Sequence, residues 1–282
     1  MSLPVSFLGI VFALTSACVW GGGDFCGGLA ARRNNQFQVL VLSALSGIVL
    51  LVVCAALRQE ALPSLRGAGF AMLAGLFGAL GIAALYRALS MGFTASVAPT
   101  AAVIGAALPV AFSALTESLA PVTRMAGFGL AFLGIWLLSQ STTGEKSVSR
   151  QGLLLAVLAG VGFGGFFILV AQANFGQVFT PLIITRSVTL LTGLLLVRVN
   201  RLPLPGLKSN PVALLAGLLD AGGNVFFVLA KQFTRLDVAA VLSSLYPALT
   251  VILASIVLKE KVTRGQWIGL VVCLAATVMI TL

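Results

Sequence analysis

The sequence has no histidine and few charged residues. Of its 282 residues, 9% are Asp, Glu, Lys or Arg, whereas 59% are hydrophobic. A soluble domain carries about a quarter charged residues, so the composition argues against a water-soluble fold. Without histidine, the chain lacks the commonest general base and metal ligand. It also has no phosphate-binding loop, no Gly-x-Ser-x-Gly and no Asp-Asp-x-x-Asp. We therefore expect no enzymatic activity and no cofactor.

Cysteine is scarce as well, and its spacing excludes a metal site. Cys18, Cys26, Cys54 and Cys273 all fall within apolar runs, without zinc or disulfide spacing. The net charge of +10 does not indicate nucleic acid, because the basic residues stand singly or in small groups between apolar runs. We interpret them as loop charges that orient a membrane protein.

Long apolar runs account for most of the chain. A helix needs about 20 apolar residues to span the hydrocarbon of a lipid bilayer. Ten such runs occur: Phe7–Gly28, Phe37–Leu57, Gly67–Leu89, Thr94–Leu115, Val122–Ser139, Gly152–Gln172, Val178–Val199, Val212–Lys231, Val238–Leu258 and Gly265–Leu282. They predict an all-α, multi-pass membrane protein with ten transmembrane helices.

The two halves of the sequence resemble each other. The segment from Gly9 to Gly22 aligns with Gly152 to Gly165 at a shift of 143 residues. Near the other end of each half, Val122-Thr123-Arg124 matches Val262-Thr263-Arg264 at a shift of 140 residues. The matches between these points keep their order, which indicates a duplication.

We predict two repeats, 1–143 with spans one to five and 144–282 with spans six to ten. Because each repeat has an odd number of spans, the second must enter the bilayer from the opposite face. Inverted repeats are common in secondary transporters, whose substrate site lies near the midplane between them.

The distribution of Lys and Arg predicts the orientation. Five of them (Arg58, Arg66, Arg124, Lys231 and Arg235) fall on the side that holds both termini, and eleven fall on the other side. Cytoplasmic loops carry the excess of basic residues, so we expect both termini outside.

Three charges lie within predicted spans, where charge is costly and usually functional. Asp24 is near the end of the first span, and a position at the level of the lipid headgroups is as consistent with it as a functional one. Arg186 and Asp220 lie about 12 and 13 Å from opposite surfaces at 1.5 Å per residue. In a core about 30 Å thick, they differ in depth by about 5 Å. We predict that they pair or that they bracket a zwitterionic substrate.

Aromatic, polar and proline residues extend the candidate site. Aromatic walls with a few hydrogen-bonding groups suit small organic ligands, and the candidates at matching depths are Trp20, Tyr86, Phe163, Asp220, Asn224, Ser243, Ser244 and Tyr246. Proline deprives a helix of one hydrogen bond. Pro99 and Pro109 in the fourth span and Pro247 in the ninth are therefore candidate hinges, although a static kink is an alternative for each.

Several of these features resemble the drug/metabolite transporter superfamily in its ten-helix EamA-type form. The resemblance rests on Trp20-Gly21 followed by Phe25, on its echo from Phe163-Gly164 to Phe167, and on the segment from Tyr246-Pro247 through Leu258-Lys259-Glu260 to Gly269. The first half departs from it, because Tyr-Pro is absent there and three residues are inserted after the matching Glu117. The segment Trp20-Gly21-Gly22-Gly23-Asp24 is most similar to the aromatic amino-acid exporter (YddG) branch.

The resemblance implies a secondary transporter, not driven by ATP, that acts as a monomer by alternating access in a bacterial-type inner membrane. The expected substrates are amino acids, aromatic or neutral, and related metabolites, with export as the direction. An exporter of cationic drugs such as methyl viologen has the same fold and is the first alternative. A channel or a lipid flippase is the second.

Overall fold

The computed structural model describes residues 5–32, 34–90, 94–139, 150–173, 176–259 and 261–281. These residues are almost entirely helical and include no strand, which confirms the all-α prediction. The helices are α1 Val5–Ala31, α2 Gln36–Leu57, α3 Leu65–Ser90, α4 Thr94–Thr116, α5 Val122–Leu138, α6 Arg150–Ala173, α7 Phe179–Val199, α8 Pro211–Phe233, α9 Leu236–Ser243, α10 Tyr246–Val257 and α11 Arg264–Thr281.

Most of these helices have the length and composition of transmembrane spans. Within the described residues, nine helical stretches are long and apolar enough to cross a membrane, and α4 contains a shorter apolar stretch, Thr100–Thr116. Large apolar side chains such as Leu65, Leu191 and Val271 are exposed on the outside of the bundle. The interior is instead rich in alanine and glycine, as is typical of packed helices in lipid.

The ninth span, Leu236–Val257, is broken into α9 and α10. The break follows Ser243, and Pro247 lies in the first turn of α10. A proline has no backbone N–H, so the carbonyl of Ser243 loses the donor that a continuous helix would supply. By contrast, α4 remains one helix through Pro109.

Neighbouring helices from the two halves run in opposite directions. The guanidinium of Arg124, at the start of α5, donates to the carbonyl of Ile280 at the end of α11 (3.2 Å). The amide of Asn210, just before α8, donates to the carbonyl of Ala30 at the end of α1 (3.0 Å). We call the face where α1 begins and α11 ends the terminal face, and the face where α1 and α5 end the linker face.

The main helix pairings keep their pattern when the two halves are exchanged. Helix α1 packs on α8 as α6 packs on α3, and α2 packs on α8 as α7 packs on α3. Helix α4 packs on α6 as the ninth span packs on α1. In the pairs α5–α11 and α2–α7, a helix of the first half packs on its own counterpart in the second half. These pairings surround a central space to which both halves contribute.

Candidate functional site

A cavity of about 680 Å³ occupies this central space. Its wall is formed by α1, α2, α3, α4, α6, α7, α8 and the break in the ninth span. Along α1 it runs from Trp20 in the middle of the helix to Ala31 at its end, and it includes Gln36 at the start of α2. The cavity therefore extends from the middle of the bundle to the linker face. Its volume is in the range of small-molecule sites.

Among the described residues, three charged side chains line the cavity: Asp24, Arg186 and Asp220. Arg186 and Asp220 form an ion pair, in which the Arg186 side chain is 9% exposed and that of Asp220 is 40% exposed. The arginine is thus enclosed by protein, while its partner faces the open space. Asp24 is also exposed to the cavity. If all three are ionised, the wall carries two negative charges and one positive charge.

Hydrogen bonds fix α1 to α8 beside these charges. The backbone carbonyl of Asp220 accepts from the indole N–H of Trp20 (3.2 Å) and from the side-chain amide of Asn224 (2.6 Å). One turn away, the hydroxyl of Ser16 donates to the carbonyl of Gly223 (2.8 Å). One N–H of the Asn224 amide is used within its own helix. Its amide oxygen and its second N–H are the groups that it can offer to a ligand.

Aromatic rings form the wall next to the charges. Trp20 packs against Phe167 with 5.5 Å between ring centroids, and against Tyr246 edge-on at 6.4 Å. Phe227 lies behind them, fully buried, 4.9 Å from Phe167. Phe163 also lines the cavity. Such a wall suits a flat, apolar group, because aromatic pairs gain from offset or edge-to-face packing.

The predicted serine, tyrosine and proline residues do not all lie on the cavity wall. Ser244 lines the cavity, but the hydroxyl of the neighbouring Ser243 donates to the carbonyl of Ala13 (3.2 Å) and lies behind the wall, fully buried. The side chains of Tyr86 and Pro99 lie outside the described part of the chain. Pro109 is buried within α4.

Other residues on the wall were not anticipated from the sequence. They are the aromatic pair Phe166 and Phe167 on α6, together with four polar residues, Gln36, Ser43, Thr185 and Thr189. The three phenylalanines of α6 at 163, 166 and 167 have the i, i+3, i+4 spacing of a single helix face, and this signal could have identified them. The threonines flank Arg186 on α7 at spacings that also share a face.

On the terminal face, the side chain of Glu60 joins the two halves. Its carboxylate accepts from the backbone N–H groups of Val178 (2.5 Å), Phe179 (2.7 Å) and Thr180 (2.6 Å) at the start of α7. These groups have no partner within the helix, and a negative charge there also interacts favourably with the helix dipole. The link between α2 and α3 is therefore held against the second half.

A second polar cluster on the terminal face surrounds Glu117. Its carboxylate lies 3.4 Å from the ammonium of Lys231 and 3.6 Å from the guanidinium of Arg235. Arg235 also pairs with the buried Asp237 (2.9 Å) and donates to the carbonyl of Ser118 (2.6 Å). Hydrogen bonding to Asp237 raises the pKa of Arg235, which keeps the guanidinium charged. The cavity thus reaches the linker face, whereas charged contacts between the halves close the terminal face.

Membrane-length helices around a cavity with a few charged side chains and aromatic walls are those of a multi-pass membrane protein. Residues 150–282 match the model of the EamA-like transporter family, so the second half of the chain is similar to an EamA-like transporter domain. No curated protein sequence matches the chain. Among solved structures, 29 chains match. One crystal structure superposes with a TM-score of 0.77 at 18% identity, over 97% of this chain and 98% of that one. At this identity, the likeness establishes the fold alone.

Proposed function

We propose that the protein is a secondary transporter that exports amino acids, aromatic or neutral, by alternating access. The observation that carries this proposal is the presence of both signs of charge beside aromatic rings on the wall of one cavity. An amino-acid zwitterion needs all three partners, since it has a carboxylate, an ammonium group and a side chain. The EamA-like domain supports transport as the general function.

Each part of such a substrate has a partner of suitable chemistry. The guanidinium of Arg186 is the cationic partner for the carboxylate of the substrate. It would contact this carboxylate and that of Asp220 at the same time. The carboxylate of Asp24 is the partner for the ammonium group, and Trp20 and Phe167 pack against the side chain. In this arrangement, the amide oxygen of Asn224 accepts a further hydrogen bond from the ammonium.

The architecture also suits alternating access. The helix pairings keep their pattern when the two halves are exchanged, and this supports two inverted repeats, 1–143 and 144–282. The cavity reaches the linker face, and the contacts of Glu60 and Glu117 hold the terminal face closed. In the opposite state these contacts separate and the linker face closes, with the break before Pro247 as the hinge. We place the protein in a bacterial-type inner membrane, as a monomer with its termini outside.

A second candidate substrate is an organic cation. Asp24 and Asp220 outnumber Arg186 on the cavity wall, so a flat cation such as methyl viologen would neutralise the excess carboxylate and stack on the aromatic rings. For this substrate the carboxylate of Asp24 is indispensable. For an amino acid it is one of several contacts.

Counterflow into proteoliposomes tests the proposal. The purified protein is loaded with one unlabelled compound, and uptake of labelled aromatic amino acids and methyl viologen is competed across a panel. We expect saturable counterflow of aromatic amino acids. Since a hydrogen bond to a charged group contributes about 1.5–3 kcal/mol, Asp24→Asn should weaken apparent amino-acid affinity by about 10- to 100-fold.

The control for this experiment is Glu117→Gln, which removes an acid outside the cavity. Because it acts on the contacts that close the terminal face, it should change the apparent affinity for every compound by the same factor. Counterflow of methyl viologen alone, abolished by Asp24→Asn, would establish the second candidate. Absence of saturation and counterflow with every compound would reject a carrier and favour a channel or a lipid flippase.

A further inference from the structure

Two glycines of α1, Gly27 and Gly28, line the cavity. A Cβ atom added at either position would meet no atom of the described residues within 4 Å. Two glycines earlier in α1 differ. An added Cβ at Gly21 would lie 2.6 Å from the carbonyl oxygen of Tyr246, and one at Gly23 would lie 3.3 Å from the backbone N of Asp220. Close packing explains Gly21 and Gly23, but it leaves Gly27 and Gly28 unexplained.

These two glycines also cost helix stability. A glycine in a helix interior is less favourable than alanine by about 1 kcal/mol. Gly27 and Gly28 are both helical residues, four and three positions before the end of α1 at Ala31. Alanine would fit the space at both positions. Local stability therefore favours a side chain where the sequence has none.

The open space lies directly over Asp24. Positions 27 and 28 are three and four residues after Asp24, so their side chains would share its face of the helix. Side chains on a helix lean towards its N-terminus and cover the preceding turn. A bulky residue at Gly28 would therefore lie across the exposed carboxylate of Asp24, on the side of the linker face from which the cavity is reached.

The second half lacks both the acid and the open space. At the shift of 143 residues, Asp24 corresponds to Phe167, Gly27 to Val170 and Gly28 to Ala171. Val170 is fully buried. In contrast, Gly21 and Gly22 are retained as Gly164 and Gly165 at the same shift. The closely packed Gly21 thus recurs in the second half, whereas Gly23, Gly27 and Gly28 are found only in the half that has the carboxylate.

We propose that Gly27 and Gly28 determine specificity, by setting the size of the group that can reach the carboxylate of Asp24. The inference rests on the proposed function, in which Asp24 contacts the substrate. The upper size limit of the substrate is then set on α1, one turn from Asp24. Larger residues at Gly27 or Gly28 would convert a carrier of bulky substrates into one for small substrates.

A graded series of substitutions tests this inference through transport. Gly28→Ala, Gly28→Val and Gly28→Leu are compared in counterflow of alanine, valine, phenylalanine and tryptophan. A pocket discriminates by about 10- to 200-fold for each methylene-sized change. We therefore expect Gly28→Leu to lower the uptake of tryptophan relative to alanine by about tenfold or more, with Gly28→Ala intermediate.

The matched control is Gly129→Leu. Gly129 is a helical glycine of α5 with the same open surroundings, but it lies away from the cavity. It reproduces the gain in helix propensity without narrowing the path, so the substrate profile should stay that of the unsubstituted protein. An equal loss for all four amino acids, or the same change of profile in Gly129→Leu, would overturn the inference.

A second arm does not depend on transport. In a variant with the four native cysteines replaced, a cysteine introduced by Asp24→Cys is labelled with thiol reagents of increasing size. Adding Gly28→Leu should lower the rate of labelling by the bulky reagent about tenfold more than the rate of labelling by the small one. If both reagents slow equally, the size limit is not at Gly28. A failure of all amino-acid counterflow, with size-selective labelling retained, would reject the proposed substrate but not the size limit.

Discussion

The ion pair between Arg186 and Asp220 leads to a prediction about which partner the fold needs more. The Arg186 side chain is 9% exposed and the Asp220 side chain 40% exposed. Removing one partner of a buried pair leaves the other as an uncompensated charge, which costs about 3–5 kcal/mol. A charge that faces the cavity can be solvated there and costs less.

Asp220→Asn should therefore be the more harmful substitution. It leaves the enclosed guanidinium without its partner, so we expect a loss of about 3–5 kcal/mol in the free energy of unfolding. Arg186→Gln leaves a carboxylate that faces the cavity, and we expect a loss of about 1–2 kcal/mol. The double variant should lose less than the sum of the two, because neither charge is then left alone.

The measurement is unfolding of the purified protein in mixed detergent micelles, titrated with a denaturing detergent and followed by helical circular dichroism. Asp24→Asn is the control, since it leaves the pair intact and should change stability by no more than about 0.5 kcal/mol. To prevent Arg186 from pairing with Asp24 instead, Asp220→Asn is also measured in the Asp24→Asn background. Equal losses for the two single variants, or a larger loss for Arg186→Gln, would refute the argument from burial.

Three further predictions concern the frame around the cavity. Glu60→Gln weakens the cap on α7 and should lower stability by about 1–2 kcal/mol in the same titration, whereas Glu117→Gln, in a partly exposed pair, should lower it by less than about 1 kcal/mol. Gly217→Ala forces a methyl group against the backbone of α2 and should cost about 1–3 kcal/mol, while Gly129→Ala, in open space, should not destabilise. Pro247→Ala restores a backbone donor to the ninth span and should slow counterflow without weakening substrate affinity. An unchanged rate would argue against a hinge there.

The positions of the helices could be predicted from hydropathy. A segment that spans lipid must be long, apolar and hydrogen-bonded within itself, and this requirement outweighs local helix propensity. The ends were less accurate. Helix α1 continues to Ala31, beyond the predicted end at Gly28. Pro247 marked the ninth span as irregular, but not the two-residue break that the structure contains.

For the site, the depth of each residue in the membrane could be predicted from the sequence. The direction in which its side chain points could be predicted only in part. Counting residues from each surface brought Arg186 and Asp220 to a similar level, and the structure pairs them. The same counting could not separate Ser243 from Ser244, since neighbouring residues on a helix point about 100° apart and the break between α9 and α10 alters their register. The contact of Glu60 with α7 joins loops more than a hundred residues apart, and no local pattern encodes it.

The position of Trp20 gives the cavity an optical reporter of its own. The chain has three tryptophans. Trp20 is 8% exposed and lies on the cavity wall, whereas Trp136 and Trp267 are exposed on the outer surface. Replacing those two with phenylalanine leaves a single indole, hydrogen-bonded beside the central charges. Its emission would then report occupancy directly, so a ligand could be identified by titration in detergent before any vesicle is prepared.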